Sequence, residues 1–431
     1  MCSPRTASEH SRVPTRAVSL DEVRNHPLRF LAEQAGYGDL SVYEAGGEQI
    51  VLANHPDHVK QVLGSAAGCF TKAGTPDDLL LRGLVGEGLL TAEAGPWRRQ
   101  RSVLAPMFRR ARVVPAAERI LDIAESLTEA WEREPGARCV DGEMSSVALD
   151  VLVGVLLDVD AATIGPAFGE AVAELNAHLG RGANRTGTPP QKVSEARRLI
   201  RAIAGALIQS GAYRSDGPES NMHELMRLHR GPDLADQVLT LIMAGHETTA
   251  RAMSWTLLLL ARHEDVQEQV RTEARQVLGR EGSIRDKVAQ MPLTEAVVRE
   301  SMRLFPPVWS MSRRSTTETS IGGIEIASGT LVVLSQWLQH HDARWWDDPY
   351  EFKPERFLEA GPLPAAYFPF GAGDRICIGQ HLALMEVVLV VATILRRLRL
   401  RAVGPMPVPE ALISLRPADG ARVIVETERG I

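Results

Sequence analysis

The sequence predicts a mainly α protein with small β-sheets, an α+β chain folded as one unit. Apolar residues recur at helical spacing along a succession of long runs, the longest from Asp233 to His263. The strand-like parts are short alternating stretches beside Gly-containing turns. No Gly/Ser-rich or Pro-rich linker divides the 431 residues, so the expected organisation is a flexible N-terminus at 1–20 and a single domain at 21–431.

In chain order, Asp21–Gln34 has helical periodicity, and Ser41–Glu44 and Gln49–Leu52 flank Ala45-Gly46-Gly47-Glu48 as a β-hairpin. His55–Leu63 reads as a helix opened by Pro56. Cys69–Gly95 is Gly-rich and without regular pattern, which predicts a loop, and Pro96 suits the first turn of the helix after it. Ala116–Arg133, Met144–Leu157, Ala162–Leu179 and Lys192–Ser210 follow as helices, with polar loops at 180–191 and 213–221. After the long central run come helices at Glu264–Leu278 and Leu293–Leu304, then strands at Ser310–Ser315, Ile321–Ile326 and Thr330–Ser335 with turns at Gly323 and Gly329. His381–Leu398 is the last helix, and Leu412–Glu426 reads as a hairpin turning at Asp419-Gly420.

Composition narrows the function. A hydrophobic share of 44% and a charged share of 24% are ordinary for a globular protein, and the length suffices to enclose a bulky cofactor. A net charge of −6 argues against nucleic acid as a partner. Cys2, Cys69, Cys139 and Cys377 are widely spaced, a reduced, cytoplasmic pattern rather than a disulfide framework. Residues 1–22 are polar and contain no apolar run of signal or spanning length, so no membrane anchor is expected.

Three stretches carry chemistry. In Phe370-Gly371-Ala372-Gly373-Asp374-Arg375-Ile376-Cys377-Ile378-Gly379 a single cysteine stands just before a long helix, where the helix dipole and free amides favour a thiolate. A free cysteine is ordinarily a buried core residue. With no second Cys or His at ligand spacing, this one cannot build a zinc site, but it can be the single axial ligand of a haem iron. In Ala244-Gly245-His246-Glu247-Thr248-Thr249, a Gly, hydroxyls and a carboxylate interrupt an apolar helix. His246-Glu247 invites a metalloprotease reading, which fails because position 250 is Ala. Polar residues on a solvated helix face remain an alternative for this stretch; the local conflict with helix propensity points instead to function. Finally, Trp97 and Arg101 lie four apart on one helix face and offer donors suited to a carboxylate, although such a pair is more often surface packing.

The order Phe-x-x-Gly-x-Arg-x-Cys-x-Gly resembles the haem-binding loop of the cytochrome P-450 family of haem-thiolate monooxygenases. The resemblance runs over nearly the whole chain from about residue 27. It implies that fold, with haem b between the long central helix and the helix after the cysteine loop. Cys377 would be the axial iron ligand, with Phe370, Gly371 and Gly379 shaping its loop. Trp97, Arg101, Arg375 and Arg313, rather than Arg314, would hold the propionates. Gly245, beside Ala244, would let the central helix approach the haem and leave room for dioxygen. Thr248 would hydrogen-bond the bound oxygen, and Glu247 would help relay protons. Glu300, Arg303 and Arg356 resemble the family's buried structural triad. Met243, Ala244, Thr248, Val308, Trp309, Ser310 and Leu412 would face the substrate, beneath a lid built around 180–221 and a flexible loop at 69–95.

The implied activity is insertion of one oxygen atom from O2 into a lipophilic small molecule, such as a polyketide or terpenoid of secondary metabolism. Fatty-acid hydroxylation, a non-oxygenating oxidation or coupling, and a non-enzymatic haem sensor are the alternatives. No flavin or ferredoxin domain is fused, so electrons would come from a separate ferredoxin or flavodoxin with its reductase. The basic cluster Arg98, Arg99, Arg109, Arg110 and Arg112 is a candidate docking face. The chain departs from the family pattern in lacking a proline-rich N-terminal segment and in having Glu264 where Pro usually follows His. Its acid is Glu247, as in the fatty-acid-hydroxylating branch.

Overall fold

The architecture is built around one helix, Pro232–Leu260. In the computed structural model, residues 15–109, 116–156, 167–180, 191–214, 232–359 and 361–427 are described. Val238, Ile242, Met253, Trp255, Leu257 and Leu260 are buried on several faces of the central helix, the mark of a core helix rather than a surface one. It packs against the helices Asp141–Leu156, Pro292–Leu304 and Gln380–Arg397. Glycine at 245 leaves room for the Leu152 side chain of the first of these. A Cβ there would stand 2.3 Å from Leu152 Cδ1. The small residue expected to open space for a ligand thus also serves helix–helix packing.

A six-stranded sheet closes one side, in the order Thr15–Ala17, Leu40–Ala45, Glu48–Ala53, Leu331–Leu334, Met311–Ser315, Phe70–Thr71. The hairpin between the second and third strands turns through Gly46 and Gly47 at φ 61° and 79°, backbone that a two-residue hairpin loop needs. Thr15–Ala17 pairs with Val42–Glu44, so the strand lies within the stretch expected to be flexible; residues 1–14 lie outside the described ones.

Several elements differ from expectation. The first helical run is two helices, Leu20–Asn25 and Pro27–Ala35, because Pro27 cannot continue the first. The expected loop at 69–95 contains a helix, Pro76–Val85, capped by Thr75 Oγ1 accepting from Asp78 N and led by Pro76, Asp77 and Asp78. The next helix starts at Ala94, two residues before Pro96. The C-terminal hairpin is not formed at 412–426. Pro409–Ala411 pairs instead with Leu415–Pro417, while Arg422–Thr427 joins Leu398–Ala402 and Gly136–Cys139 in a three-stranded sheet. The lid expected at 180–221 falls on 181–190 and 215–221, outside the described residues, between and after the helices Ala167–Gly180 and Gln191–Arg214.

The expected triad is present. Arg303 and Glu300, both fully buried, make two parallel bonds of 2.7 and 2.8 Å, and Arg356 Nε donates to Glu300 Oε1 at 3.2 Å. The remaining guanidinium hydrogens of Arg303 go to the carbonyls of His340, Pro349 and Glu351. Removing one partner leaves the other charge buried and unpaired. Glu300→Ala is therefore expected to lower stability by about 3–5 kcal/mol in chemical denaturation; a loss within about 1 kcal/mol would place the pair among ordinary surface ion pairs.

Candidate functional site: one cavity joining a thiol, a cluster of cations and a hydroxyl

A cavity of about 660 Å³ runs between the central helix, the cysteine loop and the sheet. Every residue singled out from the sequence as a site or pocket residue lines it: Trp97, Arg101, Met243, Ala244, Gly245, Glu247, Thr248, Val308, Trp309, Ser310, Arg313, Phe370, Gly371, Arg375, Cys377, Gly379 and Leu412. Cys377 and Ala244 keep accessible surface inside the molecule because that surface faces the cavity.

The cysteine loop is shaped by its own backbone. Gly371 and Gly373 take φ 72° and 69°, and a Cβ at Gly373 would collide with the Leu63 carbonyl oxygen at 1.8 Å. Gly379 has φ −88°, which any residue adopts, so its amide rather than its freedom matters. Cys377 N donates to Phe370 O at 2.9 Å. Burial pushes the Cys377 thiol up, while the Gly379 N–H and the Arg101 charge pull it down. These two groups are what favours a thiolate at this position.

Several cations line the same cavity. Arg375 stacks over the Trp97 ring at 4.5 Å and donates to Glu93 Oε1 at 2.7 Å and Ala92 O at 2.8 Å. Arg313 donates to its neighbour's carbonyl, Ser312 O, at 2.8 Å, and burial followed by the Arg375 charge brings it down to about 10. Among the described residues neither Arg313 nor Arg101 has a carboxylate in salt-bridge contact. Strand alternation decides between the two adjacent arginines: Arg313 faces the cavity, while Arg314 turns outward to Glu48 and the carbonyls of Gly74 and Gly329. Lys72, which sequence reasoning missed, adds a further cation. It lines the cavity, donates to Leu90 O at 3.1 Å, and burial lowers it to about 8. Only its position in the fold reveals it.

On the central helix, Thr248 Oγ1 donates to Ala244 O at 2.8 Å within its own helix. Buried Glu247 accepts from Ser414 Oγ at 2.6 Å and faces Arg251 at 3.5 Å, which in turn reaches Asp141 at 3.1 Å. Ser414 sits in the turn between two short strands, where nothing in the sequence marks it. His246 turns away and shares a 2.7 Å hydrogen bond with Ser145; burial, then Arg251, brings it down to about 4. The fixed neighbour is therefore a neutral imidazole used in helix packing.

This donor set fits a haem: one thiol on a tight loop, and cations short of carboxylates lining the same cavity. The family model for Cytochrome P450 matches residues 17–179 and 219–424. Cyclooctatin synthase of Streptomyces melanosporofaciens is 30% identical over 91% of this chain and 88% of its own. Cyclooctat-9-en-7-ol 5-monooxygenase of the same organism is 32% identical over 88% and 86%. The crystal structure of CYP175A1 from Thermus thermophilus superposes with a TM-score of 0.77 at 27% identity, covering 95% of this chain and 100% of that one. The arginine assignment has a direct check. Arg313→Ala should weaken haem retention in a transfer assay to apomyoglobin, and Arg314→Ala should not; equal retention in both variants would remove Arg313 from the site.

Proposed function

The chain belongs to the cytochrome P450 family and is a monooxygenase of that family, and from this premise we propose that it inserts one oxygen atom of O2 into a lipophilic small molecule, tailoring a secondary metabolite of the polyketide or terpenoid kind. The observation that carries the reading is the single cavity in which Cys377, the cations and Thr248 meet. Cys377 would hold the iron of haem b, and Trp97, Arg101, Arg313 and Arg375 would hold its propionates, with Phe370, Gly371, Gly379, Ala244 and Gly245 against it. Bound there, the haem supplies dioxygen activation and one-electron chemistry, with electron density donated by the thiolate.

The chain's own residues do the rest. The Gly379 amide and the Arg101 guanidinium favour the Cys377 thiolate without pairing it away. Thr248 offers a hydroxyl to the cavity, beside Glu247 and Thr249 on the same helix. The carboxylate of Glu247 accepts from Ser414, which makes that hydroxyl the first partner through which it can exchange a proton. Met243, Val308, Trp309, Ser310 and Leu412 leave an apolar wall with few fixed polar contacts, suited to an uncharged lipophile. The relatives add support, one of them named as a monooxygenase of cyclooctat-9-en-7-ol. No described helix is long and apolar enough to cross a membrane. Electrons would come from a separate ferredoxin or flavodoxin with its reductase, and exposed Arg98, Arg99 and Arg109 would meet an acidic partner; Arg110 and Arg112 lie outside the described residues.

Two measurements test the reading. The reduced protein with carbon monoxide should show the red-shifted Soret band of a thiolate-bound haem, and Cys377→Ala should lose it; a variant that keeps the band would end the assignment. Thr248→Ala should keep haem and substrate binding but release reducing equivalents as hydrogen peroxide. Product formation should fall by about 10²–10⁴-fold, as for a lost general acid. Wild-type product per donor oxidised in that variant would place proton delivery elsewhere.

A further inference from the structure

The sheet forms one wall of the cavity. Tyr43, Ile50 and Leu331 stand abreast on three neighbouring strands, and all three line it. Val333 lines it too, and the chain then enters the short helix Gln336–His340. That helix packs on Pro27–Ala35, whose Phe30 and Leu31 also reach the cavity. Two polar side chains interrupt this apolar wall. Gln336 is 0% exposed, and neither its Nε2 nor its Oε1 has a hydrogen-bond partner among the described residues. Gln339 has the same two bare atoms, but of the pair only Gln336 lines the cavity. Tyr43 stands edge-on to Phe30 at 5.0 Å, and its hydroxyl makes no hydrogen bond among the described residues. Burial pushes that phenol up, so it keeps its hydrogen and remains a donor. Buried polar groups in native proteins are paired. A bare amide and a bare hydroxyl on one cavity wall therefore mark a place for a bound polar group.

We propose that Tyr43 and Gln336 form a substrate subsite that binds a hydroxyl group of the lipophile. The inventory of donors and acceptors matches. A hydroxyl has one hydrogen to give and two lone pairs to offer. The wall presents one bare acceptor, Gln336 Oε1, and two donors, Gln336 Nε2 and the Tyr43 hydroxyl. A hydrocarbon leaves all three unpaired, which penalises it against the alcohol. A carboxylate can use the donors but sets its own lone pairs against Oε1. Around this point Ile50, Leu331 and Val333 supply apolar surface for the rest of the molecule. A substrate held here by an oxygen it already carries would present a remote C–H group to the part of the cavity beside Thr248. The two residues thus act on which compound is oxidised and at which carbon, and take no part in proton delivery.

The inference rests on the monooxygenase reading, and its test separates the two. Equilibrium dialysis of the purified protein, with bound ligand quantified by mass spectrometry, reads binding without catalysis. Three probes share one terpene skeleton: farnesol, the hydrocarbon farnesene and farnesoic acid. Wild type should bind farnesol about tenfold more tightly than farnesene, as one or two net hydrogen bonds give. Gln336→Leu should lose that preference while keeping farnesene binding, and Tyr43→Phe, which removes a single oxygen, should lose part of it. Both variants should retain the thiolate Soret band. Equal affinity for farnesol and farnesene in wild type would overturn the proposal. So would a preference that survives in both variants, which would leave the two side chains to ordered water. Tightest binding of farnesoic acid, abolished by Arg24→Ala but not by Gln336→Leu, would also overturn it and move recognition to Arg24 on the same cavity. An alcohol preference in a protein that lacks the thiolate Soret band would uphold the subsite and end the monooxygenase reading.

Discussion

The geometry of the cysteine loop depends on a buried ion pair that never touches it. Arg303, paired with Glu300, donates to the carbonyl of His340 at 2.7 Å. His340 returns a 3.2 Å hydrogen bond from Nδ1 to the Arg303 carbonyl, and its Nε2 accepts from the Phe368 amide at 3.1 Å. Phe368 O then accepts from Gly371 N, and Phe370 O from Cys377 N, each at 2.9 Å. The route requires one tautomer, with hydrogen on Nδ1 and a lone pair on Nε2. Burial, then the charges of His341 and Arg303, hold His340 well below its ordinary value and so keep it neutral. A protonated ring would aim an N–H at the Phe368 N–H and break the chain there. The triad thus acts on the thiol by fixing the backbone that presents it.

The central helix solves a different problem, how to carry polar groups through a core. Each is given a local answer. Thr248 and Thr249 bond back to the carbonyls four residues earlier, His246 is turned to Ser145, and Glu247 is joined through Arg251 to Asp141. Asp141 in turn accepts from the Ala421 amide, so the network ties the central helix to the C-terminal strands beside Ser414. A segment that would be costly if its polar groups were left bare becomes the link between pocket floor and sheet.

How much of this was legible in the sequence follows from where the constraint lay. The cysteine loop, the Gly245–Thr249 stretch and the Glu300–Arg303 spacing are local, and each was readable because its chemistry is carried by neighbours in sequence. Arg313 was set apart from Arg314 only by the family resemblance, and the structure puts the two on opposite sides of their strand. Lys72, Ser414 and His340 were not readable, since their partners stand 18, 167 and 28 residues away and only folding brings them together. The C-terminal hairpin failed for the same reason. Asp419-Gly420 makes a turn, but Arg422–Thr427 finds better partners in strands distant along the chain. The helix at 76–85 failed differently: its capping signals, Thr75 and Pro76, are local, but Gly74 and Gly83 on either side masked them.

The cations of the cavity make the protein's stability depend on what it binds. Burial holds Arg313 at about 10 and Lys72 at about 8, so charging either in the folded state costs free energy that the unfolded chain does not bear. For Lys72, folded below its free value of 10.5, the cost is fully present below pH 8 and is relieved as pH rises from 8 to 10.5. Glu93 engages Arg375, and Asp77 spends its carboxylate on the Ser312 amide and hydroxyl, so the protein's own acids leave Arg313 and Arg101 without a salt-bridge partner among the described residues. A ligand with two carboxylates offsets that cost directly, while a neutral one of the same shape leaves it in place. Uncompensated positive charge in the cavity therefore favours a dianionic ligand over a neutral one.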